Sequence, residues 1–427
     1  MGEHRGDPWQ WRDEIVQAHG AGRHDTSHHS DRGPSAGPLP RTSLVPLAEV
    51  AGRVLAAPLT SPEALPAQDL SAMDGFAVRR AELTAPGATV LPVVADLPAR
   101  PGHPAPLPPG TAARIMTGAP LPPGADAVVP VEDTDADPAG PVPAAVRITL
   151  ASPLPPRKHV RGPGEEVTRG EELAPAGTRV GAALIGLAAA LGVTDLEVHA
   201  PPRVGIVVTG DELTGAGPAV PGTVRESDGT MLAAALVTHG AIPRVLRGPD
   251  DPARLRAVLA DAARDADLVV TTGGIGHGAY DVVKSLLGPG GDGTSRFAHL
   301  ALRPGGPQGH GTLPPADGAD HGTPVVHLPG TPVGALVGYH LFVRPLLPGP
   351  ASAPRRVLVG EGSFAVRRPG LTVVAGRLRR GADGGESVDT LPGRRLAPYG
   401  RADALVLLDG SLPATAAPGE SVLVLDL

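Results

Sequence analysis

Three Gly-rich turns carry the chain's clearest capacity for chemistry. Thr209-Gly210-Asp211-Glu212, Thr271-Thr272-Gly273-Gly274-Ile275-Gly276 and Leu328-Pro329-Gly330-Thr331-Pro332 each follow a short apolar run of strand type. Turns without side chains let backbone N–H groups approach an anion, and the start of a following helix adds a favourable dipole. Thr209, Gly210, Thr272, Gly273, Gly274, Pro329, Gly330 and Thr331 are therefore candidate contacts for a phosphate or another oxyanion. The plainer reading of Gly at any one tight turn is backbone geometry. Carboxylates share the same stretch: Asp211, Glu212, Asp250, Asp251 and Asp281. Acids beside an anion site make sense when a hard cation such as Mg²⁺ bridges the two. Each acid also has a structural reading. Asp251, just before Pro252, has the form of a helix N-cap; Asp211 and Asp281 fit caps or turns, Asp250 fits a solvated position, and Glu212 has the least obvious structural job.

The elements that must hold these turns alternate. Strands are predicted at Val204–Thr209, Ile242–Leu246, Leu268–Thr271, His299–Leu302 and Val325–Leu328, and helices at Asp228–His239, Asp251–Asp265 and Thr331–Leu347. That alternation argues for a doubly wound parallel sheet over 201–349, with ligands beyond the carboxyl ends of its strands. Residues 352–427 hold short β-type runs (Val357–Val359, Leu371–Ala375, Ala404–Leu408, Ser421–Leu427) and predict a small C-terminal all-β, barrel-like domain. From Leu44 to about Ala200 short Val/Leu runs are broken by Pro and Gly, which reads as strands and turns with few helices; the Pro-rich stretch 94–109 reads as loop. The longest apolar stretch, Val180 to Val193, is too short to span a bilayer and reads as a buried helix. Residues 1–40 open with a short helix around Trp9–Ala18 and continue as a flexible Gly, His, Ser and Pro rich segment, whose His24, His28 and His29 fit a polar tail better than a metal site.

Composition narrows the function classes. The chain has 427 residues, a net charge of −7, no Cys and 41% apolar residues. It is long enough for several cores and lacks the basic balance of a nucleic-acid binder. Disulfides, thiolate metal sites and thiol nucleophiles are excluded. The polar start MGEHRGDPWQWRDE carries no secretory signal, and the expectation is a cytoplasmic protein with no membrane partner. Neither a Walker loop nor a G-x-G-x-x-G fingerprint follows a strand.

Other residues place the turns in a family pattern. Ser71-Ala72-Met73-Asp74-Gly75-Phe76-Ala77-Val78 resembles S-x-M-D-G-[YF]-A-[VL]. Arg114-Ile115-Met116-Thr117-Gly118-Ala119-Pro120, continuing to Gly124-Ala125-Asp126-Ala127-Val128-Val129, resembles R-I-x-T-G-A-P-x-P-x-G-A-[DN]-[AT]-V-V. Gly164-Glu165-Glu166 is similar to G-[ES]-[DE], Thr209-Gly210-Asp211-Glu212-Leu213 to T-G-D-E-L, Thr272-Gly273-Gly274 to S/T-G-G, and Leu328-Pro329-Gly330 to the start of L-P-G-N-P. These motifs occur in the order found in the MoeA/gephyrin family and cover roughly residues 45–425, so the chain resembles that family.

The resemblance implies a multidomain α/β protein: a flexible segment at 1–40, a discontinuous elongated domain from 41–62 and 152–200, a β-rich domain at 63–151 with the M-D-G and T-G-A motifs, the α/β molybdopterin-binding domain at 201–349, and the C-terminal β domain at 352–427. It implies a molybdopterin molybdenumtransferase that takes molybdate and adenylylated molybdopterin and releases AMP, with Mg²⁺ support. It also implies a homodimer in which Asp74 and Thr117 face the partner's site. Glu212, Asp250 and Asp281 would serve the pterin, metal and molybdate end, and Asp211, Ser227 and Arg303 would join the turn residues in binding. Glu166, standing for a family Asp, would be a further charge contact.

Departures from the pattern bear on that expectation. K-P-G-K-P reads Arg303-Pro304-Gly305-Gly306-Pro307, which keeps one cation and loses the second. L-P-G-N-P-x-S reads Leu328-Pro329-Gly330-Thr331-Pro332-Val333-Gly334, D-[ST]-N reads Glu226-Ser227-Asp228, and G-S-[HG] reads Gly393-Arg394-Arg395. Losing one charge-assisted hydrogen bond costs on the order of 1.5–3 kcal/mol, enough to weaken binding without abolishing it. Arg394 and Arg395 are candidates to restore charge. The alternatives to a working transferase are a divergent, weakly catalytic paralogue that binds molybdopterin or molybdate, and a scaffold protein. The retained acids Asp74, Glu212, Asp250 and Asp281 favour chemistry.

Overall fold

The structure, a computed structural model, describes residues 6–19, 41–84, 86–218, 220–276, 281–315, 321–349, 353–367, 369–381, 384–393 and 395–427. The predicted flexible stretch with His24, His28 and His29 lies outside the described residues, as does Arg394. The chain packs as two compact units, one of Met1–Ser43, Gly177–Arg179 and Glu197–Leu427, the other of Leu44–Ala176 and Val180–Leu196. The expected opening helix is present as α1 (Pro8–His19), in the larger unit.

The smaller unit is built on a five-stranded sheet. Its strands are β1 (Gly75–Val78), β2 (Gly87–Leu97), β3 (Ala112–Ile115), β4 (Ala127–Pro130) and β5 (Ala145–Leu150), in the order β4-β1-β3-β2-β5. β1 is buried along its whole length because both faces are covered: Phe76 and Val78 pack with Val129, Val146 and Ile148, while Ala77 packs with Ile115, Val128 and Val160. Gly75 is fixed by close approach, since a Cβ there would sit 2.0 Å from the Val129 carbonyl oxygen. β2 extends into the stretch expected to be loop. Its alternate residues face the sheet, and its pairing with β3 and β5 overrides Pro92 and the weak local signal.

A helix does form in the long apolar run, as α2 (Ala182–Ala190), but only Ala188 of it is buried. The expectation of a buried helix is not met within the single chain, because a helix apolar on every side needs neighbours on every side and only Ala188 is fully covered.

The larger unit holds the predicted sheet. Its strands are β6 (Arg203–Thr209), β7 (Ile242–Gly248), β8 (Leu268–Thr272), β9 (Ser295–His299), β10 (Pro307–Leu313) and β11 (Thr323–Leu328), in the order β7-β6-β8-β11-β10-β9. The pairs β6–β7, β6–β8 and β8–β11 are parallel, and β10 is antiparallel to both β11 and β9. The helices are α3 (Asp228–Thr238), α4 (Pro252–Ala263), α5 (Val282–Leu287) and α6 (Pro332–Gly338), the last continuing as a π-turn over Tyr339–Val343. Asp251 caps α4 as predicted, its carboxylate accepting from the Arg254 N–H at 2.8 Å. Alternation along the strands divides the core: Val204, Ile206 and Val208 pack with α3 and α6, while Val207 packs with Leu255 and Leu259 of α4 and Val283 of α5. Each such fully buried aliphatic side chain contributes roughly 1.5–3 kcal/mol. α1 adds Trp11 and Ile15 to the first of these layers, and its His19 meets His310 at 3.3 Å.

The strand expected at His299–Leu302 is divided. β9 ends at His299, and Leu302–Arg303 pairs instead with the C-terminal sheet. That sheet comprises β12 (Arg355–Val359), β13 (Leu371–Arg380), β14 (Glu386–Thr390), β15 (Ala404–Leu408) and β16 (Ser421–Asp426). It closes in the ring β13-β14-β12-β16-β15, with β15 back against β13, so the barrel-like expectation holds.

Candidate active site

The carboxyl ends of β6, β8 and β11, three neighbouring parallel strands, open into one cavity of about 570 Å³. All three predicted turns line it, through Thr209, Gly210, Thr272, Gly273, Gly274, Pro329, Gly330 and Thr331. They are tied to one another: Thr209 Oγ1 donates to the Thr272 carbonyl at 3.0 Å, and the Gly273 N–H donates to the Leu328 carbonyl at 3.1 Å. Gly273 has φ +87°, and a Cβ there would lie 2.7 Å from Thr209 Oγ1, so a side chain would break this join. Small turns and fixed backbone dipoles give the cavity the means to hold an oxyanion.

Glu212, Asp250, Asp281 and Ser227 also line the cavity. The Asp250 carboxylate accepts from the Asp211 N–H at 3.1 Å, and Asp281 Oδ1 accepts from the Gly276 N–H at 2.7 Å. Both carboxylates thus hold a turn and border the cavity at once. Asp211 is not among the lining residues, because its carboxylate turns back to accept from the Asp250 N–H at 3.3 Å. Among the described residues no group of three or more His, Asp or Glu side chains is gathered tightly enough to hold a metal ion. The expected trio Glu212, Asp250 and Asp281 therefore lines one cavity without forming a preformed cage.

Arg303 is outside the cavity lining, although Gly305 and Pro307 belong to it. Pairing of Leu302–Arg303 with Leu371–Thr372 draws Arg303 into the ladder of the C-terminal sheet. At Gly306, where the family pattern has its second Lys, a Cβ would lie 2.7 Å from His299 Nε2, so the ring occupies the space a longer side chain would start from. Arg395 is exposed at the start of the short helix Leu396–Tyr399 and does not line the cavity.

Three further groups next to Ser227 line the cavity: Arg225, which sequence reasoning missed, and Glu226 and Asp228, which it noted only as departures from the D-[ST]-N pattern. The run Arg225-Glu226-Ser227-Asp228 at the opening of a predicted helix was the available signal. Among the described residues that line the cavity, Arg225 is the only cationic side chain, against five carboxyls. Glu226 Oε1 accepts from the Gly229 N–H at 2.6 Å and so caps α3. Asp228 is buried at 5% exposure, and burial pushes its carboxyl up to about 6, with the Thr272 hydroxyl acting against the rise and Glu226 adding to it.

In the smaller unit, Asp74 and Thr117 form a pair that spacing alone does not reveal. Asp74 Oδ1 accepts from the Thr117 N–H at 2.6 Å and from its hydroxyl at 2.8 Å, and both residues are exposed. The backbone donor first, then the hydroxyl, holds the Asp74 carboxyl below its ordinary range. β1 delivers Asp74 and β3 delivers Thr117, through the antiparallel register Gly75↔Ile115. Glu166 of this unit pairs with Arg161 at 3.0 Å.

Comparison with known proteins bears on the family and the fold. Residues 27–192 match the family described as "MoeA N-terminal region (domain I and II)", and residues 205–349 match "Probable molybdopterin binding domain". The chain is 43% identical over 318 residues to "Molybdopterin molybdenumtransferase 2" of Mycobacterium tuberculosis, covering 72% of this chain and 75% of that one. It is 35% identical over 312 residues to "Molybdopterin molybdenumtransferase" of Nostoc sp., covering 72% and 69%. In fold it is similar to the crystal structure of the molybdopterin biosynthesis moeA protein from Pyrococcus horikoshii OT3, with TM-score 0.77, 20% identity, and coverage of 99% of this chain and 100% of that one.

Proposed function

The chain belongs to the MoeA family of molybdopterin molybdenumtransferases, and from that premise we propose that its sheet-edge cavity binds adenylylated molybdopterin and molybdate, transfers molybdenum to the pterin and releases AMP. It is a transferase of molybdenum cofactor biosynthesis. The observation that carries the reading is the meeting of Thr209-Gly210, Thr272-Gly273-Gly274 and Pro329-Gly330-Thr331 around one cavity with Glu212, Asp250 and Asp281 on its wall. The backbone turns supply fixed donors for phosphate or molybdate oxygens, which suits a reaction driven by positioning and electrostatics.

Five carboxyls around an anionic substrate need compensation, and Arg225 supplies one positive charge. The hard oxygen donors Glu212, Asp250 and Asp281 fit Mg²⁺. This ion keeps several waters and is usually held by one or two carboxylates together with substrate phosphates, so a three-carboxylate cage is not required. When bound it would neutralise phosphate charge. The protein's own groups do the rest: the turns orient the phosphates, and Asp250 and Asp281 hold two of the turns in register.

Asp74 and Thr117 are assigned to the same reaction across a homodimer, each pair facing the partner's cavity. Their exposure and mutual hydrogen bonds give a rigid acidic group presented outward. α2 supports self-association: an apolar helix with Ala182, Ala183, Gly186, Ala189 and Ala190 exposed is a surface in want of a partner. The protein is assigned to the cytoplasm; among the described residues no helix is long and apolar enough to cross a membrane.

Calorimetric titration with adenylylated molybdopterin tests the pocket assignment. The wild-type chain binds, and Gly273→Val, which places a side chain against Thr209, reduces affinity at least about tenfold, the loss expected when one well-placed charge-assisted contact goes. Unchanged affinity in Gly273→Val would remove the ligand from this cavity.

A further inference from the structure

We propose that Asp228 is a substrate-recognition residue whose carboxyl, on the inner wall of the cavity at the first turn of α3, contacts an acceptor atom of the bound pterin nucleotide. The inference rests on the pocket assignment above. Asp228 lines the cavity, yet only 5% of it is exposed. Its polar partners are two hydroxyls at long range, Thr272 Oγ1 at 3.3 Å and Ser227 Oγ at 3.5 Å. Among the described residues no cation forms a hydrogen bond or ion pair with it. An ionised carboxylate in that position would face an anionic ligand with no cation paired to it directly.

The carboxyl avoids that conflict by keeping its proton. Burial already pushes it up to about 6, and the neighbouring Glu226 adds to the rise. A seated ligand removes water and brings further negative charge, and both changes favour the protonated form. A protonated carboxyl is a donor. It then offers one hydrogen bond to the acceptor-rich ligand, from the wall of a pocket where Glu226, Asp250 and Asp281 already accept from backbone N–H groups. The resembling family pattern has Asn here, and an amide donates at every pH. In this chain the same contact depends on pH.

Adenylylated molybdopterin titrated by calorimetry between pH 5.5 and 8 provides the test, with Asp228→Asn and Asp228→Ala beside the wild type. Wild-type Kd should rise on the order of tenfold per pH unit above about pH 7, the slope of one linked proton. Measured in buffers of different ionisation enthalpy, binding at pH 7 should take up close to one proton. Asp228→Asn should bind without that slope and without that uptake, and Asp228→Ala should bind weakly throughout. The other charged groups lining the cavity are Glu212, Arg225, Glu226, Asp250 and Asp281. A slope arising from them, or from the ligand, would persist in Asp228→Asn. Equal slope and equal proton uptake in wild type and Asp228→Asn would overturn the proposal while leaving the pocket assignment standing. Absence of binding by the wild type would overturn the pocket assignment and this inference together.

Discussion

Two aspartates of this protein are moved in opposite directions, and the difference lies in their donors. Asp74 is exposed and receives two donors from Thr117, so its charge is favoured. Asp228 is buried beside two distant hydroxyls, so its charge is penalised. Thr117→Ala removes the hydroxyl donor and keeps the backbone one. Turnover should fall by roughly tenfold, less than for Asp74→Ala, because one hydrogen bond to a charged group is worth about 1.5–3 kcal/mol. Steady-state AMP release by the two variants checks the order. For Asp228 the consequence is a stability that depends on pH. Its folded pKa, about 6, lies above the ordinary 3.8, so its contribution is fully present below about pH 4 and is lost as pH rises through 6. At one pKa unit per 1.36 kcal/mol the loss reaches about 3 kcal/mol at most. Asp228→Asn should therefore gain in thermal midpoint over the wild type as pH is raised from 4 to 8, and a constant difference across that range would contradict the assignment. Much of the site was legible at this scale, since the turn residues and Glu212, Asp250 and Asp281 do line one cavity. Arg225 was passed over because nothing in its local pattern separates a cavity-lining charge from the ordinary opening of a helix, and Asp228 was read only as a departure from the D-[ST]-N pattern.

Elements place these residues, and here local pattern and tertiary context divide the outcome. β6, β8 and β11 are buried Val-rich runs ending in Gly or Pro, so their type, ends and shared edge could be read directly. α4 could be read from its Asp-Pro cap and its apolar face. β10 could not: Pro-Gln-Gly-His-Gly-Thr-Leu has one aliphatic residue, and it is a strand because β9 and β11 flank it. The pairing of Asp74 with Thr117 was likewise hidden, since it depends on the register between β1 and β3. That register has a sensitive point. Gly75→Ala would drive a Cβ to 2.0 Å from the Val129 carbonyl, forcing β1 and β4 apart. The cost should be about 3 kcal/mol or more, the upper range for overpacking. Chemical denaturation should show an early transition in the smaller unit, with ligand affinity of the cavity retained; an unchanged profile would mean that the strands yield without penalty.

At the scale of the whole molecule, the proposal that Asp74 and Thr117 serve a partner's cavity predicts complementation. Asp74→Ala and Asp281→Ala, each inactive alone, should recover roughly a quarter of wild-type turnover after co-refolding in equal amounts. Half of the dimers are then mixed, and each mixed dimer has one intact site. No recovery from a sample that sedimentation shows to be mixed dimers would place both residues in the same subunit's site. Charged substitutions on the exposed face of α2, such as Ala183→Glu with Ala190→Glu, should shift the protein toward monomer, read by light scattering after gel filtration. The central claim, that this cavity finishes molybdenum cofactor synthesis, is tested most directly by turnover. Purified protein is mixed with adenylylated molybdopterin, Mg²⁺ and molybdate, and AMP release is followed for the wild type and Glu212→Gln. Molybdate-dependent AMP release by the wild type, lowered on the order of a hundredfold or more in Glu212→Gln, is the predicted result. Tight pterin binding with no AMP release by the wild type would contradict it.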